Sequence, residues 1–453
     1  MTEARSDAIL WDVVEEHLDE AEFLAETWHV NLDSPAYLRD EFEQGPQERL
    51  LAHVDGLVVG GEDVRAELLE PALADGDTER WRAAAVALSL LSHPNVQFAA
   101  PLFDGLDERP QEVRLGIVDA LAMSARADID VRITDALRRG GEPDHLVALA
   151  TVGGMRGANP VNLVDDLLQG TDEAARAAAV SMLPFGDRRY LTWVEHSLAG
   201  TTAQLQWAAT RAGLVMGSGP AWQQVGKWGL ADEPDADAMV LLASLADQRI
   251  AERIAERAND ETVRPLALHA LGYSGRRLAM ETCLKWLGDE AVGPLAGEAF
   301  AAMTGLPLDD DAYWDDVEGS DDEDEDEDDG EGSDDLEDDL EEEDLDEDLR
   351  IRAEEELRIP KPEAILAWWK DAQGRFDGKK RYIAGRPADQ VAIAHALKVL
   401  PMRRHHALAF ELLVRSKGTV NLRTRALTFA SAEALAGLPG IPYVDGNRVY
   451  GQH

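Results

Sequence analysis

The chain has 453 residues, of which 45% are apolar and 29% charged, with a formal net charge of −46. One hydrophobic core rarely organises more than about 250–300 residues, so this length predicts several domains or an elongated repeat array. Cys283 is the only cysteine, which excludes an internal disulfide and a multi-thiolate zinc site within one chain.

The charge is unevenly distributed along the chain. Residues 1–308 carry −26, residues 309–348 carry 28 acidic side chains and no Lys or Arg, and residues 350–453 carry +8. An acidic body repels phosphate backbones, which argues against nucleic acid as a partner. Adaptation to high salt also produces acidic proteins, but it does not explain a basic C-terminal part.

The first 74 residues predict helices that cap the rest of the chain. Apolar residues from Ile9 to Leu24 have the spacing of an amphipathic helix with Asp7 as its N-cap, and two further helices break near Gly60. The start of the sequence lacks the pattern of a signal peptide, and no stretch approaches the roughly 18 apolar residues of a membrane span. We therefore expect a cytoplasmic protein with no membrane partner.

Residues 75–308 repeat a two-helix pattern. In each unit an Ala-rich first helix ends at Gly, Ser or Pro, and a second helix with wider apolar spacing follows. Neighbouring units are 28 to 32 residues apart. No helix pair buries its apolar stripe alone, so neighbouring units must stack. The eight first helices are marked by Arg82, Arg114, His145, Arg176, Gln206, Ala236, Arg264 and Pro294.

This register resembles HEAT or HEAT-like helical repeats. The resemblance implies an all-α fold, a HEAT-like α-solenoid of about eight helical-hairpin units with an N-terminal helical cap and a small, mostly helical C-terminal module. It implies no particular activity, because many unrelated functions use such solenoids.

Residues 309–349 predict an acidic linker with two parts. The first is rich in Asp, Glu and Gly, and we expect it to be disordered. The second has leucines at helical spacing, which predicts an acidic amphipathic helix over 334–358 that ends at Pro360. A calcium-binding EF-hand is excluded, because placing Gly330 at position 6 puts Leu336 where the loop needs Glu.

Residues 350–453 predict a basic, mostly helical module. One helix carries Trp368 and Trp369, and "RFDGKKRYIAGRP" predicts a loop or short hairpin. Two further helices are expected near 388–400 and 403–416. The last segment, "LPGIPYVDGNRVYGQH", is predicted to be a loose tail.

We predict no catalytic, metal-binding or cofactor-binding residues. The eleven histidines include no His-Glu dipeptide of the kind that di-iron HEAT-like hydroxylases use, and His405 and His406 point to different faces of one helix. The sequence has no G-x-S-x-G and no phosphate-binding loop. The prediction is a protein that is not an enzyme and has no cofactor.

Protein recognition is the class that remains. Solenoids present a concave surface lined by their second helices, and aromatic anchors dominate the energetics of interfaces. Each tryptophan in these segments can instead fill a gap between units, so that alternative stays open. The predicted partner-binding residues are Trp193, Trp222, Trp228, Trp286, Trp368, Trp369, Arg381, Tyr382 and Arg386.

Four stretches resemble the landmarks of a bacterial family of uncharacterised HEAT-repeat proteins that are often encoded among type VI secretion genes. They are "WDVVEEHLDEAEFLAETW", "ERLLAHVDGLVVGG", "AFAAMTGLPLD" and "AWWKDAQGRFDGKKRYIAGRP", and the most specific parts are Leu50–Leu57 and Arg381–Pro387. The resemblance implies an adaptor that docks a secretion effector or spike component. Two alternatives stay open: a lyase-type or modifying enzyme that uses the solenoid groove, and an acidic run that mimics nucleic acid or chaperones a basic partner.

Overall fold

The computed structural model describes residues 9–160, 164–316 and 357–451. These residues are mostly helical, which confirms the predicted all-α class, and none of their helices is long and apolar enough to cross a membrane. The α-helices are α1 (Trp11–Asn31), α2 (Arg39–Phe42), α3 (Glu48–Val59), α4 (Gly61–Val64), α5 (Glu70–Ala74), α6 (Arg80–Ser92), α7 (Gln111–Met123), α8 (Asp128–Arg139), α9 (Pro143–Arg156), α10 (Asp165–Gln169), α11 (Glu173–Met182), α12 (Leu191–Ser197), α13 (Ala203–Met216), α14 (Gly219–Gly229), α15 (Ala236–Leu245), α16 (Gln248–Arg257), α17 (Arg264–Ser274), α18 (Arg277–Cys283), α19 (Gly293–Thr304), α20 (Pro362–Ala372), α21 (Gln390–Val399), α22 (Met402–Arg415) and α23 (Ala432–Gly437).

Shorter helical turns of other types join these helices. Proline lies in the interior of Glu43–Gln47 and Val96–Leu102, where its missing amide removes one α-helical hydrogen bond and favours a different turn. It also lies near the start of Leu183–Phe185 and Leu438–Gly440. The π-helical turns are Glu43–Gln47 and Arg65–Leu69, and the 3-10 turns are Val96–Leu102, Leu106–Glu108, Leu183–Phe185, Arg188–Tyr190, Gln373–Arg375, Thr428–Ser431 and Leu438–Gly440.

The eight Ala-rich first helices are found where the repeat pattern places them: α6, α7, α9, α11, α13, α15, α17 and α19. Most contact the next one directly, while α13 and α15 both pack against α14. Small residues allow this close approach. At Gly116 of α7, an added Cβ would lie 2.2 Å from the carbonyl oxygen of Arg80 at the start of α6.

The second segment of each unit packs on the outside of the first helices. Helices α8, α10, α12, α16 and α18 each contact the first helix of the following unit. In α16 the apolar side chains Ala251 and Ile254 are buried, while Glu252 and Arg253 on the other side are exposed. This division is typical of an amphipathic helix with one solvated face.

The C-terminal residues pack against the first helices and share a hydrophobic core with them. Helix α22 contacts α13 and α15, and its side chains Leu408 and Leu412 join the same cluster as Leu242 and Leu271 of the array. Helix α22 also reaches the N-terminal part, because the amide of Met402 donates to the carbonyl of Tyr37 at 2.9 Å. Residues 357–451 are thus docked on the array.

Two short antiparallel strand pairs occur in the described chain. Strands β1 (Trp314–Asp315) and β2 (Ile359–Pro360) pair with each other, and β3 (Tyr382–Ile383) pairs with β4 (Arg386–Pro387). The second pair is the predicted hairpin. Its two turn residues, Ala384 and Gly385, both have positive φ, of 46° and 76°. That geometry is typical of the tight turns that match the twist of a hairpin.

The prediction of a loose C-terminal tail is wrong for residues 438–451. Leu438 is buried, and the amides of Gly446 and Tyr450 donate to the carbonyls of Ala388 and Leu245 at 3.0 and 2.9 Å. Burying these backbone donors on carbonyl acceptors orders the segment.

Other predictions for the linker and the N-terminus fall largely outside the described residues. These are the N-cap at Asp7, the disordered half of the acidic linker and nearly all of the acidic helix. Only the last two residues of that helix are described, and Leu357 and Arg358 lie in no helix.

Candidate functional site

The C-terminal ends of the first helices are completed by hydrogen-bond donors from residues 381–450, which we name the capping segment. The last carbonyls of a helix lack partners within it and form the negative end of its dipole, so they attract amides and cations. One donor for each of five helices illustrates the pattern: Leu427 N to Met123 O at 3.0 Å (α7), Tyr450 Oη to Leu214 O at 3.0 Å (α13), Arg415 Nη2 to Ser244 O at 2.9 Å (α15), Arg381 Nε to Ser274 O at 2.9 Å (α17) and Ala384 N to Ala302 O at 2.8 Å (α19).

Two of the predicted partner-binding residues, Arg381 and Tyr382, lie in the interior of this assembly. The guanidinium of Arg381 is buried and donates to the carboxylate of Glu411 from Nη1 at 2.6 Å. Burial alone raises the pKa of Glu411, but Arg381 and Arg415 outweigh it and hold that pKa below its ordinary value. The amide of Tyr382 donates to the carbonyl of Gly275 at 2.8 Å. Both residues therefore join the capping segment to α17 and are not accessible to a partner in this arrangement.

A second buried ion pair joins α22 to α19. Arg404 donates from Nε to Oε1 of Glu298 at 2.7 Å and from Nη2 to Oε2, and its Nη1 reaches the carbonyl of His269 at 3.1 Å. Burial raises the pKa of Glu298, but the charge of Arg404 holds it below its ordinary value. Gly272 leaves room for this guanidinium, because a Cβ there would lie 2.6 Å from Nη1. A bidentate pair of this kind is a specific and strong contact.

The two tryptophans of α20 also pack inside the protein. Trp369 is buried, and its ring centroid lies 5.5 Å from those of Phe300 and Phe376. Trp368 is half-buried, with Phe300 at 5.9 Å and the guanidinium of Arg375 at 5.3 Å from its ring. Both rings serve the contact between α20 and α19.

Three further predicted tryptophans are half-buried, and each has a partner within the chain. The ring of Trp222 lies 5.0 Å from that of Tyr450, the ring of Trp228 lies 4.7 Å from that of Trp207, and Arg264 stacks on Trp286 at 4.1 Å. These contacts fit the gap-filling alternative, while part of each ring stays accessible to solvent.

Trp193 and Arg386 are the predicted residues that the structure leaves exposed. Trp193 lies on α12 beside an open depression of about 360 Å³ that Asp165, Arg189 and Tyr190 also line. In that depression the hydroxyl of Tyr190 donates to Oδ1 of Asp165 at 3.2 Å. An aromatic ring next to fixed polar groups is a common form of recognition site.

Trp193 belongs to a set of exposed apolar side chains on the second segments. Val96, Val131 and Trp193 are 45%, 62% and 37% exposed, and they lie in the second segments of the first, second and fourth units. The two valines are not among the residues predicted from the sequence. For Val131 the signal is an apolar residue on the otherwise charged side of a short amphipathic helix, which is weak for a single residue. Val96 lies in an uncharged 3-10 turn, which gives no such signal.

The described residues include no group of three or more His, Cys, Asp or Glu side chains that could hold a metal ion. Cys283 is fully buried, and burial raises the pKa of its thiol to about 12, so the nucleophilic thiolate does not form near neutral pH. The exposed apolar side chains of the second segments are taken as the candidate functional site because they are accessible to a partner.

No family model matches this chain, and no curated protein is found to be related to it. The resemblance to HEAT-repeat proteins near secretion genes stays a prediction.

Proposed function

We propose that this protein is a non-enzymatic adaptor or scaffold of the cytoplasm, built on a HEAT-like α-solenoid, that binds a protein partner through its second segments. The observation that carries the proposal is the exposed apolar set Val96, Val131 and Trp193, with one member in each of three units. Such side chains lower the free energy of a complex when a partner removes them from water.

The surroundings of this set have the composition of an interface. Asp135 and Arg138 lie on the same helix as Val131 and form an exposed ion pair at 2.9 Å. Arg189 lines the depression beside Trp193. Charged groups beside exposed apolar side chains are common at the rims of recognition surfaces.

The opposite side of the array is occupied by the protein's own capping segment. Helix α22 and the β3–β4 hairpin cover the ends of α13 to α19, so a partner that uses the array meets the second segments. The partner that the sequence resemblance implies is an effector or spike component of a type VI secretion apparatus. The alternative of an acidic mimic depends on the acidic run of residues 309–348, most of which lies outside the described chain.

The test compares two variants that each place a charge on an exposed valine. Val131→Asp combined with Trp193→Ala changes the proposed surface, and Val59→Asp changes an 87% exposed valine of α3 as the control. Because Val59 and Val131 are mostly exposed, changing either to Asp should shift the free energy of unfolding by no more than about 0.5 kcal/mol. Trp193 is only 37% exposed, so Trp193→Ala should cost about 1–2 kcal/mol more, and circular dichroism must show that the double variant is folded.

Affinity capture with cross-linking in native cells then measures the function. We expect the wild type and the control to retain one protein in stoichiometric amount, and the double variant to lose it at least about tenfold. Equal retention by the double variant, or no retained protein with the wild type, would contradict the proposal.

A further inference from the structure

An open cleft lies where the capping segment crosses the middle of the array. Its volume is about 350 Å³, and it lies between helices α9, α11 and α13 on one side and α22 with residues 421–426 on the other. Pockets that hold small molecules usually measure about 300–1,000 Å³, so the cleft is large enough for a small ligand.

Arg211 of α13 lines this cleft and forms no ion pair there, although the nearby charge of Asp237 offsets part of its desolvation. Its side chain is accessible to solvent, yet the surrounding protein desolvates it and lowers the pKa of its guanidinium. It forms no hydrogen bond or ion pair with any residue that the structure describes, and its guanidinium carbon lies 4.3 Å from the centre of the Phe410 ring. An anion that binds beside such a cation lowers the free energy of the site.

Two more arginines line the same cleft. Arg423 donates from Nη2 to the carbonyl of Ser124 at 2.8 Å, while its buried Nε finds no acceptor among the described residues. Burial, followed by the nearby Arg156, lowers the pKa of Arg423 to about 10. Arg425 is paired with Asp33 at 3.1 Å. Of the three lining arginines, two thus have no carboxylate partner within the described chain.

The remaining walls of the cleft are largely apolar. Phe185, Val215, Phe410 and Leu413 line it, and the thioether of Met155 is exposed at its edge. A free inorganic anion would use the arginines and leave these walls in water. An organic anion would use both, because its apolar body would cover the walls while its charged end met Arg211.

We propose that this cleft binds a small organic anion, a carboxylate or phosphate monoester with an aromatic or aliphatic body, through Arg211 and the Phe410 wall. The charge of the array favours a small ligand over an acidic protein segment. An acidic macromolecule that reaches the cleft meets repulsion from the rest of the array, because residues 1–308 carry −26, whereas a small ion inside the cleft interacts mainly within the Debye length of about 8 Å.

Calorimetric titration of the full chain at low salt tests this site with phenyl phosphate, benzoate, inorganic phosphate and the neutral benzyl alcohol. We expect phenyl phosphate and benzoate to bind the wild type, inorganic phosphate to bind at least about tenfold more weakly, and benzyl alcohol not to bind at millimolar concentration. Arg211→Met should weaken phenyl phosphate about tenfold or more, and Arg211→Lys should restore part of that loss.

The matched control is Arg253→Met, because Arg253 is exposed on α16 away from the cleft. It should change the affinity by less than about twofold. Phe410→Leu should weaken phenyl phosphate and leave inorganic phosphate unchanged. The proposal is overturned if no organic anion binds the folded wild type, if Arg211→Met binds as well as the control, or if an acidic peptide binds at Arg211 and the small anions do not.

Discussion

The two faces of the helical array differ in what completes them. The ends of the first helices are completed by the chain itself, and α15 is buried at every position from Ala238 to Leu245. The second segments face solvent on their outer side, where the side chain of Arg253 in α16 is exposed. The basic charge of residues 350–453 is therefore in large part used within the molecule, where arginines contact helix carbonyls and buried carboxylates. That charge does not by itself indicate an acidic partner.

The largest expected effect on stability is that of Arg404→Met, which removes the ion pair between α22 and α19 on the covered face. This change leaves the carboxylate of Glu298 buried without its cation, which costs about 3–5 kcal/mol of the free energy of unfolding. Urea denaturation followed by circular dichroism measures it. The exposed face supplies the control, because Arg253→Met should change stability by less than about 0.5 kcal/mol. If both variants unfold alike, the ion pair does not hold α22 to α19.

The double variant Glu298→Met with Arg404→Met should recover most of the loss, since no buried charge remains.

A smaller effect on stability is expected at two glycines, and comparing them distinguishes close packing from backbone strain. Gly275 and Gly105 are both left-handed, with φ of 63° and 67° and ψ of 10° and 29°. An added Cβ lies 2.2 Å from the Tyr382 carbonyl oxygen at Gly275, whereas its nearest contact at Gly105 is Glu108 Oε2 at an ordinary 3.7 Å. Gly105→Ala should therefore cost about 1 kcal/mol through strain alone, and Gly275→Ala about 3 kcal/mol because the hairpin must move as well. Thermal unfolding of the pair measures the difference. Equal costs would show that the hairpin does not approach α17 this closely.

The smallest of these effects is a pH dependence of the covered face. Burial lowers the pKa of His405 from its ordinary value near 6.5 to about 3. Between these values the unfolded chain binds a proton that the folded chain does not, so stability falls as the pH falls below about 6.5, by about 1.4 kcal/mol per pH unit for this residue. From pH 7 to pH 5 the wild type should lose about 2 kcal/mol more than His405→Gln in urea unfolding. Parallel losses in the two proteins would contradict a buried neutral His405.

The repeat register allowed the first helices to be predicted because small residues recur wherever neighbouring helices touch. The hairpin at "YIAGRP" and the helices near 388–400 and 403–416 were also predicted, since turn residues and apolar spacing are local signals. The use of Trp193 by a partner is a prediction that the structure leaves untested.

The contacts through which the capping segment docks were not predicted, although the sequence holds two signals for docking. Helices α15 and α19 are apolar on all sides, and a helix of that kind must be covered on all sides. The single acid of α19, Glu298, likewise requires a cation. Which cation it is cannot be read from local sequence, because Arg404 lies 106 residues further along the chain.

The contacts at the start of α22 also have a consequence for how the chain is made. His406 lies 3.2 Å from the carbonyl of Leu32 through its Nε2, across 374 residues of sequence. A repeat array whose units touch only their neighbours can fold as it leaves the ribosome, one unit after another. Here the N-terminal residues contact α22, which is one of the last helices to be synthesised. Contacts of such long sequence separation slow folding. A nascent chain that ends before residue 381 therefore leaves the last carbonyls of α13 to α19 without the donors that complete them in the folded protein.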